Sequence, residues 1–172
     1  MQRARGFTLL ELMLVVAIVG ILATLAVGMT TDWRERNDLR EDAREIYTLL
    51  NRARGAAIKA GESTVVELLA GDTPPRAQAF VDRDLSRSYS SGTDTLVASY
   101  AWHDSDTVLA DADVLAANGT GSGNTGFVIF DSQGFFVDAT GQPLQGSLIA
   151  KNTTTNRTLV VRITVAGALR IE

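Results

Sequence analysis

The first 29 residues, MQRARG followed by FTLLELMLVVAIVGILATLAVGM, carry the reading on which the rest of the chain depends. From Phe7 to Met29 there are 23 residues and one charge, Glu11. At about 1.5 Å per residue a helix of this length spans roughly 35 Å, enough to cross a bilayer core. The sequence predicts a membrane-spanning helix. Arg3 and Arg5 precede it, which holds that end in the cytoplasm and sends everything after Met29 to the other side.

A secretory signal peptide also joins a basic start to an apolar middle, but its apolar stretch is usually about 7 to 15 residues and ends at a small-residue cleavage site. Ala23, Thr24 and Ala26 imitate such a site. A signal peptide leaves Glu11 without a purpose, since a carboxylate in an apolar helix costs on the order of 2.5 to 3.5 kcal/mol near the bilayer centre. Such a charge calls for a partner. Cleavage between Gly6 and Phe7 would create an α-amine one turn from Glu11, and subunits stacked side by side could pair amine with carboxylate.

Gly6-Phe7-Thr8-Leu9-Leu10-Glu11 followed by an apolar run resembles the prepilin signature of type IV pilins and type II secretion pseudopilins. The resemblance implies cleavage after Gly6 by a prepilin peptidase that also N-methylates Phe7. It further implies a helix retained in the bacterial inner membrane and then drawn into a filament, with Glu11 neutralising a neighbouring subunit's amine. Major pilins usually carry Pro near the position of Gly28. Glycine weakens a helix by roughly 1 kcal/mol relative to Ala, so Gly20 and Gly28 are the candidate points of local melting during assembly. Removing residues 1–6 takes away two of 16 basic residues and leaves 14 against 20 acidic ones, a formal charge of −6.

The organisation that follows is a leader at 1–6, a transmembrane and filament-core helix at 7–29, an amphipathic helix at 30–61 and a β-rich head at 62–172. In the third part Leu39, Ala43, Ile46, Leu50, Ala53 and Ala57 recur at spacings of four and three, placing them on one face, with Tyr47 and Ile58 widening it. Arg34, Glu35, Arg36, Arg40, Glu41, Arg44, Glu45 and Arg52 make the solvated faces. A bend is expected at 28–32, and Lys59 and Gly61 mark the helix end. Beyond it, strands are expected at 64–69, 78–81, 95–102, 126–130, 135–138, 158–165 and 168–171. Asp131-Ser132-Gln133-Gly134 and Ala166-Gly167 read as hairpin turns, and 71–92 and 103–125 as largely long surface loops. The predicted fold is α+β: a long helix packed on a small antiparallel head, in two sheets.

Chemistry is sparse along this chain. The absence of Cys excludes disulfides, thiolate metal sites and a Cys nucleophile. His103 is the only histidine and sits in a polar stretch, where a solvated role is expected. Asp104, Asp106, Asp111 and Asp113 offer oxygen ligands, but the Gly and closing Glu of an EF-hand loop are missing. They read as surface carboxylates, with a loosely bound Ca²⁺ as the sharper alternative. The glycine-rich run at 119–124 lacks the lysine of a phosphate-binding loop. Phe135, Phe136, Tyr100 and Trp102 are expected in the core rather than as a base-stacking platform.

A helix ending in LLNRARGAAIKAG, a first strand in VVEL, then FDSQG and AGALRI is similar to the H-type minor subunits, the FimT/GspH family. Some FimT-like proteins take up DNA through a C-terminal Gly-Arg-x-Arg hairpin. Here Gly167, Ala168, Leu169 and Arg170 occupy those positions, so the first arginine is missing, and Arg162 is the other weak candidate. An acidic head repels phosphates over roughly a Debye length, so DNA is not the expected partner. The expected function is structural and not enzymatic. The chain is read as a type IV pilus minor pilin that meets other pilin subunits through its N-terminal helix, with a type II secretion pseudopilin as the alternative. The rival from another class is an exported, membrane-anchored binding domain.

Overall fold

The computed structural model describes residues 8–103, 106–110, 112–118 and 126–172, without the side chains of 25–32 and 112. The chain divides into two compact units, Met1–Asn37 and Asp38–Glu172. Helix α1 covers Leu9–Ala60, 52 residues. Its start is encoded locally: Thr8 Oγ1 accepts the Glu11 backbone N–H at 3.3 Å, the N-cap arrangement that satisfies an otherwise orphaned donor. Its end is equally local. Gly61 adopts φ +68° and donates its N–H to the Ala57 carbonyl at 2.9 Å, with Lys59 in the last turn favourably placed against the helix dipole. The bend expected at 28–32 does not interrupt the helix, whose backbone is helical through Gly20 and Gly28 alike.

In the second unit the apolar stripe of α1 becomes the floor of the core. Leu39, Ala43, Ile46, Leu50, Ala53 and Ala57 are all buried, as their spacing implied, and Leu49 joins them. Tyr47 is half-buried, whereas Ile58 lies at the stripe's edge and is 52% exposed. Two antiparallel sheets meet this stripe. The first contains β1 (Thr64–Leu69), β2 (Arg76–Val81), β3 (Thr95–Ala101), β5 (Gly126–Phe130) and β6 (Phe136–Val137), in the order β3-β2-β1-β5-β6. The second contains β4 (Asp106–Ala110), β7 (Gly146–Asn152), β8 (Thr158–Ile163) and β9 (Leu169–Ile171), in the order β4-β7-β8-β9. A short helix, α2 (Ala112–Asn118), separates β4 from β5.

The central strand β1 has both faces covered. Val66 and Leu68 face the main core with α1, while Val65 belongs to a second cluster with Phe80, Phe127, Ile129 and Val137 on the opposite face. This alternation follows from the two-residue period of a strand. Tyr89 closes the second cluster, its ring edge-on to Phe80 at 5.6 Å. Val108, Leu148, Ala150, Val161 and Ile163 bring the second sheet into the main core. Trp102 and Phe136 are buried as expected; Tyr100 is half-buried and Phe135 is 40% exposed, so the aromatic group is only partly core.

The stretch 103–125, expected as a surface loop, contains β4 and α2. Its inward positions are Asp106, Val108 and Ala110, so the strand's first core residue is a carboxylate and the alternation reads as a polar turn. Strand β7 was likewise not anticipated, because its inward set Leu148, Ala150 and Asn152 is short, small and partly polar. Both hairpin turns lie where expected. Asp131–Gly134 and Thr164–Gly167 share one geometry: the fourth residue is a left-handed glycine donating to the first residue's carbonyl, at 2.9 and 2.8 Å.

These two turns meet over α1. The Arg54 Nε donates to the Gly134 carbonyl at 3.0 Å, and the Phe136 N–H donates to the Val165 carbonyl at 3.0 Å. A Cβ on Gly134 would lie 2.7 Å from Ile58 Cδ1; one on Gly167 would strike the Gly134 carbonyl and lie 2.8 Å from Arg54 Nε. Gly167→Ala therefore combines a left-handed backbone penalty of about 1 to 2 kcal/mol with overpacking of about 1 to 3 kcal/mol. Gly141, at φ +83° with open space around it, incurs only the first. Denaturant unfolding of the detergent-solubilised chain should show the larger loss for Gly167→Ala; equal losses would show that the inter-turn contact carries no weight.

Candidate functional site

The N-terminal unit contains the residues expected to act in assembly. Gly6 and Phe7, the expected cleavage and methylation positions, lie outside the described residues. Glu11 is exposed in the first turn of α1, where the helix dipole favours a negative charge. Around it the apolar side chains are exposed on every face: Leu9 78%, Leu10 76%, Met13 65% and Ile21 63%. A helix that is hydrophobic all round has no place in water and requires lipid or neighbouring protein about it. Among the described residues no helix is long and apolar enough to cross a membrane; the described side chains of the expected 7–29 span stop at Thr24.

The C-terminal hairpin holds the weak DNA-binding candidates. Arg162 and Arg170 stand opposite each other across β8 and β9, so both project from one face. Glu172 serves both: its Oε2 accepts from Arg162 Nε at 2.7 Å, and its Oε1 lies 3.7 Å from Arg170 Nε. Gly167, first residue of the partial Gly-Arg-x-Arg match, is required by the turn packing described above.

The strongest concentration of polar chemistry was not legible as such. Asp42 is fully buried on the apolar stripe of α1. Its Oδ1 accepts from Tyr100 Oη at 2.8 Å and lies 3.0 Å from His103 Nδ1; its Oδ2 accepts the His103 backbone N–H at 3.1 Å. Asp106, 1% exposed at the start of β4, accepts from Asn152 Nδ2 at 2.6 Å through Oδ1. Its Oδ2 finds no donor among the described residues. His103 Nε2 is 3.9 Å from Asp38 Oδ1. The expectation of a surface Asp106 is thus corrected, since the inward phase of β4 buries the carboxylate; His103 keeps a 40% exposed side chain but is also bonded to α1 by the chain just after β3. Asp104 and Asp111 lie outside the described residues, and Asp113 is exposed in the first turn of α2.

Burial pushes the Asp106 carboxyl up to about 6; the Asn152 hydrogen bond opposes this, and the adjoining Asp42 carboxyl reinforces it. Burial alone would lower His103, but its bond to Asp42 and the fields of Asp42, Asp38 and Glu41 outweigh that and leave it raised. Tyr100 is raised by burial and then by Asp42. One signal for Asp42 was present in the sequence: 39, 42, 46, 49 and 53 fall on one helix face, so an aspartate interrupts an otherwise apolar stripe. A second carboxylate group, Asp82, Asp84 and Asp94, is a loop anchor. Asp82 accepts the backbone N–H groups of Ser86 and Arg87, and Asp94 those of Arg83 and Ser90.

A helix closing two antiparallel sheets, behind an N-terminus of prepilin type, defines a pilin-like protein. The prokaryotic N-terminal methylation motif matches residues 1–27, and the family described as type II transport protein GspH matches residues 42–167. The chain belongs to the GspH family. A fimbrial protein of Pseudomonas aeruginosa is 39% identical over 62 residues, which cover 36% of this chain and 40% of that protein. Type II secretion system core protein G of Klebsiella pneumoniae is 43% identical over 49 residues, covering 28% and 35% respectively. The chain thus spans less than half the length of these curated relatives. The crystal structure of the type IV minor pilin FimU of P. aeruginosa aligns with a TM-score of 0.58 at 18% identity, over 80% of this chain and 90% of that one. The fold is shared with that pilin.

The raised Asp106 and His103 values fix the sign of a pH effect. A group whose folded pKa exceeds its unfolded value contributes stability below the unfolded value and loses it as pH rises through the folded one. Asp106 therefore loses its contribution between about 3.8 and about 6, and His103 above about 6.5. In a chelating buffer the head should lose roughly 1 to 3 kcal/mol through Asp106 as pH rises from about 4 to about 7, with His103, 40% exposed and screened by solvent, adding little. Asp106→Asn should flatten the acidic limb of a melting-temperature profile, and an unchanged limb would relieve Asp106 of that role.

Proposed function

We propose that this chain is a non-enzymatic structural subunit, a minor pilin that enters a type IV pilus or its priming tip complex. The observation that carries this reading is the apolar helix exposed on every face, with Glu11 in its first turn and a folded double-sheet head in the same chain. That helix needs a bilayer before assembly and the helices of other subunits afterwards. The precursor resides in the inner membrane with its head on the far side, and a prepilin peptidase cuts after Gly6 and methylates Phe7. Glu11 then neutralises the Phe7 amine of an adjacent subunit within the bundle. Gly20 and Gly28 are the positions where α1 yields during extraction, since nothing packs within 4 Å of a Cβ at Gly20 and glycine is a weak helix former.

Type II secretion is the second reading, favoured by the description of the matching family and by the Klebsiella relative. The two share the chemistry of the N-terminus and differ in the subunits that co-purify with the chain. DNA uptake is disfavoured by Glu172, which engages both hairpin arginines and cuts the charge of that corner from +2 to +1.

Intact-mass and N-terminal analysis of protein recovered from membranes should find a chain beginning at N-methylated Phe7. A product lacking the apolar segment would overturn the proposal. Glu11→Ala should leave membrane insertion intact and lower filament incorporation by about tenfold or more, the scale set by an unpaired charge in an apolar bundle. Undiminished incorporation would remove Glu11 from the assembly role.

A further inference from the structure

We propose that Asp42, His103 and Asp106 form a divalent transition-metal site, with zinc the ion their donor set selects, which ties α1 to the start of β4. Each of the three residues presents one ligand atom, and these atoms all lie within 4.8 Å of one another. One edge is already short: Asp42 Oδ1 and His103 Nδ1 are 3.0 Å apart, against about 3.3 Å for the edge of a tetrahedron with ligand bonds near 2.0 Å.

Three independent features point to a cation. The first is the orphaned Asp106 Oδ2, which belongs to a side chain 1% exposed and finds no donor among the described residues. A buried carboxylate oxygen without a donor is costly, and a metal ion is one of the few partners that removes the cost. The second is charge balance. Two buried carboxylates beside a neutral imidazole carry −2, and a protonated imidazole, 40% exposed, leaves −1; a divalent ion with neutral imidazole brings the sum to zero. The third is the outer arrangement. With Nδ1 on the metal, Nε2 bears the proton and has Asp38 Oδ1 3.9 Å away, beyond hydrogen-bond length but near enough for its charge to favour that tautomer. Tyr100 Oη and Asn152 Nδ2 donate to the Asp42 and Asp106 carboxylates and orient them.

The donor set chooses among ions. One imidazole nitrogen and two carboxylate oxygens suit zinc, whereas Ca²⁺ requires six to eight oxygens and Mg²⁺ an oxygen octahedron. The half-exposed imidazole leaves a route for water to a fourth position. The Asp82, Asp84 and Asp94 group provides the contrast: all four oxygens of Asp82 and Asp94 accept backbone N–H groups, and none is left orphaned as Asp106 Oδ2 is. The site lies wholly within the Asp38–Glu172 unit and is independent of how the N-terminal segment assembles.

The test uses the untagged full-length chain in detergent, stripped with chelator and titrated with Zn²⁺ by calorimetry, with melting temperature followed in parallel. One Zn²⁺ per chain is expected, with a rise in melting temperature. His103→Gln should abolish saturable binding, Asp106→Asn should weaken it by tenfold or more, and Asp38→Asn should weaken it by about tenfold without touching a ligand. Circular dichroism of each metal-free variant checks that the head is folded. Co²⁺ in place of Zn²⁺ should give the visible spectrum of a tetrahedral site in the wild type and lose it in His103→Gln. Absence of saturable Zn²⁺ binding, binding unaffected by His103→Gln in a folded variant, or a preference for Ca²⁺ would each overturn the proposal.

Discussion

One helix face has to close the inner surfaces of two sheets at once. Between Leu39 and Ala57 that face carries three alanines among its larger residues, and all of them are buried. The alanines leave room for the larger inward side chains of the sheets, and Leu39, Ile46, Leu49 and Leu50 fill the spaces between them. The consequence is a core shared by helix and sheets, in which truncating a residue such as Leu50 leaves a hole on the order of a leucine's cost, about 2 to 5 kcal/mol. The polar tethers sit on this same helix. Asp42 reaches Tyr100 in β3 and His103 just after it, and Arg54 reaches the turn between β5 and β6. Hydrogen bonds are directional where apolar packing is not, so these contacts favour one placement of the sheets over neighbouring ones.

The parts of this architecture with strong local grammar were readable in advance. A period of three and four residues identified the buried stripe of α1. Runs such as VVEL and FVIF identified strands, and the glycine-closed turns identified two hairpins. What escaped was tertiary in origin. Strand β4 begins with an aspartate that only the inward phase of the sheet and the amide of Asn152 make tolerable. Strand β7 alternates correctly, but with Ala150 and Asn152 where a larger apolar residue would have advertised it.

The polar cluster teaches the same lesson more sharply. His103 was visible as the chain's only histidine, but its partner Asp42 lies 61 positions earlier on another element, and no spacing rule connects them. The aspartate itself could have been noticed as a charged residue on an apolar helix face. Its purpose becomes apparent only once β3 has been threaded across α1. The N-terminal segment behaves oppositely: Glu11 within an apolar run is conspicuous from the sequence, and the fold adds chiefly that Thr8 caps the helix in which it stands.

Glu172 holds Arg162 and Arg170 together on one side of the outer hairpin, and this small arrangement has an evolutionary corollary. Two cations on adjacent strands, restrained by a single anion, constitute a latent surface whose character turns on one position. Loss of that anion in a descendant sequence would uncover a paired positive corner without disturbing the packed glycine turn beneath it. Within one scaffold, weakly charged and polyanion-attracting versions of that corner are therefore neighbours in sequence space.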